Sequence, residues 1–311
     1  MEFSTFSIPA SSDNLSLSIL MAQPLMDSSD VAVKALVVII HGMCEHKERY
    51  CDFMEYLAEN GIASVCNDLR GHGASVKSKE DLGYFYDGGY KAMIEDEKLV
   101  LDWAKSKFPG VPVILLGHSM GSLVARCVAK KYDSDFDMLF VSGSPSDNPA
   151  KGIGRFLAKC DGILRGRHHR PDLLQKMSFG AYNKPFADEG YRSAWVCSDK
   201  KILDAYHSDP LCQYVFTSSG WYGLLGLMQE CYSPDGWAFA NNDLPVVFIS
   251  GENDPCYGTL KQFGDAVALM KKIGYHCKSR MFPGMRHEVL NETNRLEVYN
   301  YIIDNIESIL K

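Results

Sequence analysis

The chain has 311 residues, of which 46% are hydrophobic and 23% charged, with a formal net charge of −7. That composition excludes a disordered or low-complexity protein. The acidic balance argues against nucleic acid as a partner, because phosphate binding needs a concentrated basic face.

The opening residues lack the basic and apolar regions of a leader, and no run approaches the roughly 18 apolar residues that would span a bilayer. Ten cysteines are scattered through the chain with no C-x-x-C pair, as expected of reduced thiols in a cytoplasmic protein. Cys and His residues never fall at ligand spacing within one short segment, so no metal site is expected.

Alternation at Phe6 and Ile8, then at Leu15, Leu17 and Ile19, predicts an antiparallel hairpin on one sheet edge. The continuous run Lys34-Ala35-Leu36-Val37-Val38-Ile39-Ile40 predicts a strand buried on both faces, ending at His41-Gly42. Similar runs recur at 62–66, 111–116, 138–141 and 245–249, with a more mixed one at 276–282. Helical spacing appears between them at 50–60, 90–108, 122–132, 260–273 and 295–310. Strands alternating with helices predict an α/β fold around a mostly parallel sheet. The alternation fails between about 143 and 242. The expected organisation is therefore a first core part, 1–143, a mainly helical cap insertion, 144–242, and a second core part, 243–311.

Gly117-His118-Ser119-Met120-Gly121 follows a predicted strand and precedes a predicted helix, the context in which G-x-S-x-G forms a nucleophile elbow. A serine hydroxyl needs a neighbouring base, and the base needs a carboxylate to hold its tautomer, in chain order Ser, acid, His. Asp254, in the loop after the 245–249 strand, is the candidate acid, with Glu252 as its competitor; an Asx turn before Pro255 is the structural alternative. His287, in the loop leaving the 276–282 strand, is the candidate base. His46 and His207 lack a strand-end setting, His168 and His169 fall in a basic stretch of the insertion, His276 opens a strand at the wrong end, and His118 braces the elbow. Backbone N–H groups of Met120 and Met43 are the candidate oxyanion-hole donors. The loop Asp68-Leu69-Arg70-Gly71-His72-Gly73-Ala74-Ser75 lacks the spacing of a phosphate-binding loop. It reads as a hydrogen-bonded bracket under the active-site loops.

These motifs, with His41-Gly42-Met43-Cys44-Glu45-His46, Arg49-Tyr50, Asp209-Pro210-Leu211-Cys212 and Arg286-His287-Glu288, resemble in that order the monoacylglycerol lipase and lysophospholipase branch of the α/β-hydrolase family. The resemblance spans nearly the whole core. It implies an α/β-hydrolase fold, a triad of Ser119, Asp254 and His287, and hydrolysis of single-chain lipid esters. Short-chain carboxylesterase, peptidase or haloperoxidase-like chemistry is the alternative, and a silent ligand-binding hydrolase fold a third. Cys44 stands where family members often have a small residue, and Cys256 where they often have valine. No organic cofactor or metal is implied, because serine, imidazole and oxyanion hole supply nucleophile, base and electrostatic stabilisation.

In the insertion, Ile153, Phe156, Leu157, Cys160, Ile163 and Leu164 interleave with Lys151, Arg155, Lys159, Arg165, Arg167 and Arg170 at helical spacing. The pattern reads either as a cap helix packed on the core with its charged face solvated, or as a transient contact with lipid surfaces. The apolar stretch 214–228 reads as a wall for an acyl chain or as the cap's own small core. Oligomeric state is not legible.

Overall fold

The computed structural model describes residues 2–25 and 33–310. Its sheet has eight strands: β1 (Glu2–Pro9), β2 (Ser16–Gln23), β3 (Ala35–Ile40), β4 (Ile62–Asn67), β5 (Val113–His118), β6 (Met138–Ser142), β7 (Pro245–Gly251) and β8 (His276–Phe282). Their spatial order is β1-β2-β4-β3-β5-β6-β7-β8. The β1–β2 hairpin is antiparallel and joins β4 antiparallel, while β4 through β8 run parallel. The edge hairpin and every predicted core strand are thus present, with ends shifted by a few residues.

The side-chain period of two explains why the central strands are apolar throughout. Leu36, Val38 and Ile40 of β3 enter one core layer, and Ala35, Val37 and Ile39 enter the other. Helices α1 (Cys51–Glu59) and α9 (Arg295–Ile309) cover the second layer, where Phe53 and Leu57 join Tyr299, Ile302 and Ile306. Helices α2 (Gly89–Lys107), α3 (Met120–Tyr132) and α8 (Leu260–Ile273) cover the first. The chain leaves β3 for β4 on one side and returns to β5 on the other. At such a reversal the loops beyond the carboxyl ends of the strands diverge and leave a crevice.

Between β6 and β7 the described chain contains no strand but four further helices, α4 (Lys151–Arg165), α5 (Asp172–Phe179), α6 (Lys200–Ser208) and α7 (Ser218–Tyr232). Thr217 caps α7 through the Gly220 N–H at 3.1 Å, and Asp199 caps α6 through the Lys201 N–H at 2.9 Å. Helix α7 buries Trp221, Leu224, Leu227 and Met228 in the same layer as Leu123 and Val124 of α3. The apolar stretch 214–228 therefore packs mostly in the main core and does not form a separate small core.

Helix α4 departs from the packed-apolar-face reading. It presents its small residues to α7: a Cβ at Gly154 would lie 3.0 Å from Leu225, and Ala158 is buried. Ile153, Phe156, Ile163 and Leu164 are instead exposed, at 65%, 65%, 73% and 82%. Arg155, a member of the basic face, turns inward to Gln229 Oε1 at 2.6 Å and lies 4.4 Å from the Tyr222 ring centre. Helical spacing identifies stripes, and the stripe of small residues allows the closer approach between helices.

Candidate active site

Ser119 stands between β5 and α3 with φ 53° and ψ −121°, a sparsely populated conformation for a non-glycine residue that costs on the order of 1–3 kcal/mol. The flanking glycines make the turn possible. A Cβ on Gly121 would strike the Ile40 and His41 carbonyls, and one on Gly117 would strike the Gly121 carbonyl and Ala125. Gly121→Ala is therefore expected to cost about 1–3 kcal/mol, read as a Tm lowered by roughly 2–4 °C per kcal/mol in thermal unfolding. An unchanged Tm would show that the β3 carbonyls give way.

Ser119 is half-buried, and its N–H donates to Ser142 O at 2.9 Å. The loop after β3 reaches the elbow directly, since a Cβ on Gly42 would lie 3.0 Å from the Ser119 Cβ. Neither the Met43 N–H nor the Met120 N–H is engaged by a backbone or side-chain acceptor among the described residues.

His287 and Asp254 are both buried, and His287 Nδ1–H donates to Asp254 Oδ2 at 3.0 Å. Asp254 also accepts the Cys256 N–H at 2.8 Å and the Ser250 hydroxyl at 3.2 Å. Glu252, the competing acid, is exposed. The Asx-turn alternative for Asp254 and its contact with His287 coexist, because each uses a different carboxylate oxygen. Burial opposes ionisation of Asp254, yet the His287 charge beside it keeps the carboxyl below its ordinary value. Burial likewise opposes charge on His287, but Asp254 and Cys256 lift its pKa well above the ordinary 6.5.

The other imidazole nitrogen, Nε2, faces Cys256 Sγ at 3.9 Å and forms no hydrogen bond with Ser119 among the described residues. Burial pushes the Cys256 thiol up to about 11, so it stays protonated. His118 lies beside the base with ring centres 4.6 Å apart. Burial, and then the His287 charge, push His118 down to about 3, so it is a neutral brace. Asp254, Cys256 and His287 also bring three ligand-type atoms within 4.8 Å of one another, but a cation there would occupy the imidazole.

Glu45, Arg49 and Glu288 hold the active-site loops together. Glu45 accepts the Gly42 N–H, the Tyr50 hydroxyl at 3.0 Å and Arg49 at 2.9 Å. Arg49 then forks onto both oxygens of Glu288, at 2.5 and 2.6 Å, joining the loop after β3 to the residue following His287. Segment 194–198 lies across the same loop. Glu288 N–H donates to Val196 O at 2.8 Å, Arg286 donates to Ala194 O at 2.6 Å, and the Trp195 ring centre is 5.0 Å from that of His287. The Glu45–Arg49 spacing of four was a visible signal; Glu288, 239 residues further on, could not be paired with it by spacing. Beneath these loops Asp68 accepts the Lys47 N–H at 2.9 Å, Lys47 Nζ at 2.7 Å and the Ala74 N–H at 2.8 Å, which is the bracket expected of the loop at 68–75.

Known proteins share this arrangement of chain. A monoglyceride lipase homolog from Monkeypox virus is 42% identical over 275 residues, covering 88% of each chain. Phospholipase YtpA from Bacillus subtilis is 35% identical over 268 residues, covering 85% of this chain and 92% of its own. The crystal structure of a thermostable carboxyl esterase from Bacillus coagulans superposes over 100% of both chains with a TM-score of 0.89 at 23% identity, a likeness of fold. The family described as serine aminopeptidase, S33, matches residues 31–294. The chain belongs to that family and has the α/β-hydrolase fold.

Proposed function

We propose that this chain hydrolyses carboxylic esters through an acyl-serine intermediate, with single-chain lipid esters such as monoacylglycerols or lysophospholipids as its substrates. The observation that carries the reading is the buried pair of Asp254 and His287, 3.0 Å apart, in loops that leave the sheet at the same edge as the strained Ser119 turn. Ser119 Oγ attacks the ester carbonyl carbon while His287 Nε2 takes its proton. Asp254 holds the Nδ1–H tautomer and stabilises the imidazolium. The N–H groups of Met43 and Met120 receive the charge on the carbonyl oxygen, and the start of α3 adds its dipole. The imidazolium protonates the leaving alcohol, and a water activated by the same nitrogen then releases the acid.

The lipid part of the reading draws on the relatives, which are named for monoglyceride and phospholipid cleavage, and on the outer face of segment 144–242. There Ile153, Phe156, Ile163, Leu164, Leu173 and Met177 are exposed beside Lys159 and Arg165. Exposed apolar side chains flanked by cations suit transient contact with an anionic lipid surface, with 144–242 acting as the cap. The family description favours a peptidase as the second reading.

The deciding experiment is kcat/KM across acyl chains of increasing length on glycerol and on lysophosphatidyl headgroups, with aminoacyl anilides alongside. A rise with chain length supports lipid esters, a maximum at the shortest chains a short-chain carboxylesterase, and preference for the anilides a peptidase. The acidic limb of the pH profile is expected to follow one proton with its midpoint above 6.5, because only neutral imidazole accepts the serine proton and Asp254 holds His287 protonated to higher pH,. A midpoint at or below 6.5 would contradict the coupling of base and acid.

A further inference from the structure

A second cluster of ligand-type side chains, distinct from Asp254, Cys256 and His287, is assembled from two distant segments. His46, in the loop after β3, meets Asp209 and Cys212, in the segment between α6 and α7. The imidazole Nε2, a carboxylate oxygen and the thiol sulfur all lie within 4.8 Å of one another. We propose that His46, Asp209 and Cys212 form a binding site for a zinc-class divalent cation that ties segment 209–212 to the loop carrying Met43.

The donor set of imidazole, carboxylate and thiolate is one that borderline-soft cations take, with water filling the fourth position of a tetrahedron. Ligands on bonds of about 2.0–2.3 Å at tetrahedral angles lie about 3.3–3.6 Å apart. The His46 Nε2 to Asp209 Oδ2 distance of 2.7 Å must therefore open by roughly half an ångström on binding. The supporting groups are already in place. Glu48 Oε2 accepts from His46 Nδ1 at 2.6 Å, the carboxylate partner that orients a metal-bound imidazole,. Asp209 Oδ1 accepts the Leu211 N–H at 2.8 Å, which leaves Oδ2 to face the imidazole.

His46 and Cys212 are buried, while the Asp209 side chain is 28% exposed and gives a way in from solvent. The buried Tyr214 hydroxyl, two residues along the chain from Cys212, has no hydrogen-bond partner among the described residues. Other charges around the cluster are matched: Lys47 pairs with Glu48 and Asp68, and Arg49 with Glu45 and Glu288. Binding is an exchange of charge. The cation displaces the thiol proton of Cys212 and the Nε2 proton that His46 shares with Asp209, both of which pass to solvent. Affinity therefore rises with pH.

The test is a Co2+ titration of the full-length, chelator-stripped chain under a non-thiol reductant, followed by optical absorption. One equivalent should produce a thiolate-to-cobalt charge-transfer band that disappears in Cys212→Ser and persists in Cys256→Ser. Glu48→Gln, which keeps all three ligands, should weaken binding by about 10–100-fold. This variant decides the matter if Cys212→Ser fails to fold. Zn2+ at a hundredfold excess over Kd should raise the Tm of the parent chain by about 5 °C and leave Cys212→Ser unchanged. Absence of the band at one equivalent would overturn the site. So would a band lost in Cys256→Ser but kept in Cys212→Ser, which would assign the cation to Asp254, Cys256 and His287.

Discussion

Replacing Ser119 by alanine is expected to lower kcat for ester hydrolysis by roughly 10^4–10^6-fold, because the change removes the atom that forms the acyl bond. The fold should survive. Alanine keeps the Cβ that the turn already accommodates, and Ser119 engages its neighbours through its backbone, with its N–H on Ser142 O at 2.9 Å and its carbonyl accepting the Ser122 hydroxyl at 2.6 Å. Alanine tolerates the φ of 53° no better than serine, so Tm should stay within about 2 °C of the parent, an effect of roughly 0.5 kcal/mol. Single-turnover kinetics with a chromogenic ester and a thermal melt read the two expectations separately. Residual turnover within tenfold of the parent in a folded variant would mean that another group is the nucleophile.

Replacing Asp254 by asparagine is expected to lower kcat by roughly 10^3–10^4-fold with little change in KM. Asparagine fits the same volume and can still accept the Cys256 N–H now bound at 2.8 Å. It removes the charge, however, and can offer an N–H where His287 needs an acceptor, so the imidazole loses the tautomer that leaves Nε2 free. The acidic limb should also move to lower pH, since Asp254 is the charge that raises the His287 pKa against burial. Glu252→Gln is the matched control: its side chain is exposed, and kcat should stay within about twofold, the range of a surface substitution of roughly 0.5 kcal/mol. Equal losses in the two variants would refute the assignment of Asp254 as the orienting acid.

The strands were legible because β3, β5, β6 and β7 are covered on both faces, which forces continuous apolar runs that no polar loop imitates. The elbow was legible because its motif lies in one short segment, although the atoms that obstruct Gly121 belong to Ile40 and His41 at the end of β3 and only those that obstruct Gly117 belong to α3. Asp254 against Glu252 was not. Both stand in one short loop, and only the direction of the turn shows that Asp254 points to His287 while Glu252 points to solvent. Helix α4 was legible only as two alternatives, a packed apolar face or a contact with lipid surfaces, for a related reason. Its apolar, basic and small-residue stripes are all periodic, and the partner helix α7 selected the small one.

By itself the sequence determined what depends on neighbours a few residues away: the alternation of strand and helix, the turn that strains Ser119, and the strand-end positions of Asp254 and His287. The tertiary structure alone decided what depends on sheet order. Because β3 lies between β4 and β5, the loop carrying Glu45, His46 and Arg49 is brought against Glu288 from the far end of the chain and Asp209 from the insertion. Those pairings join residues separated by 239 and 163 positions. At that separation no periodicity survives to announce them, and only the packing of the layers specifies which buried charges meet.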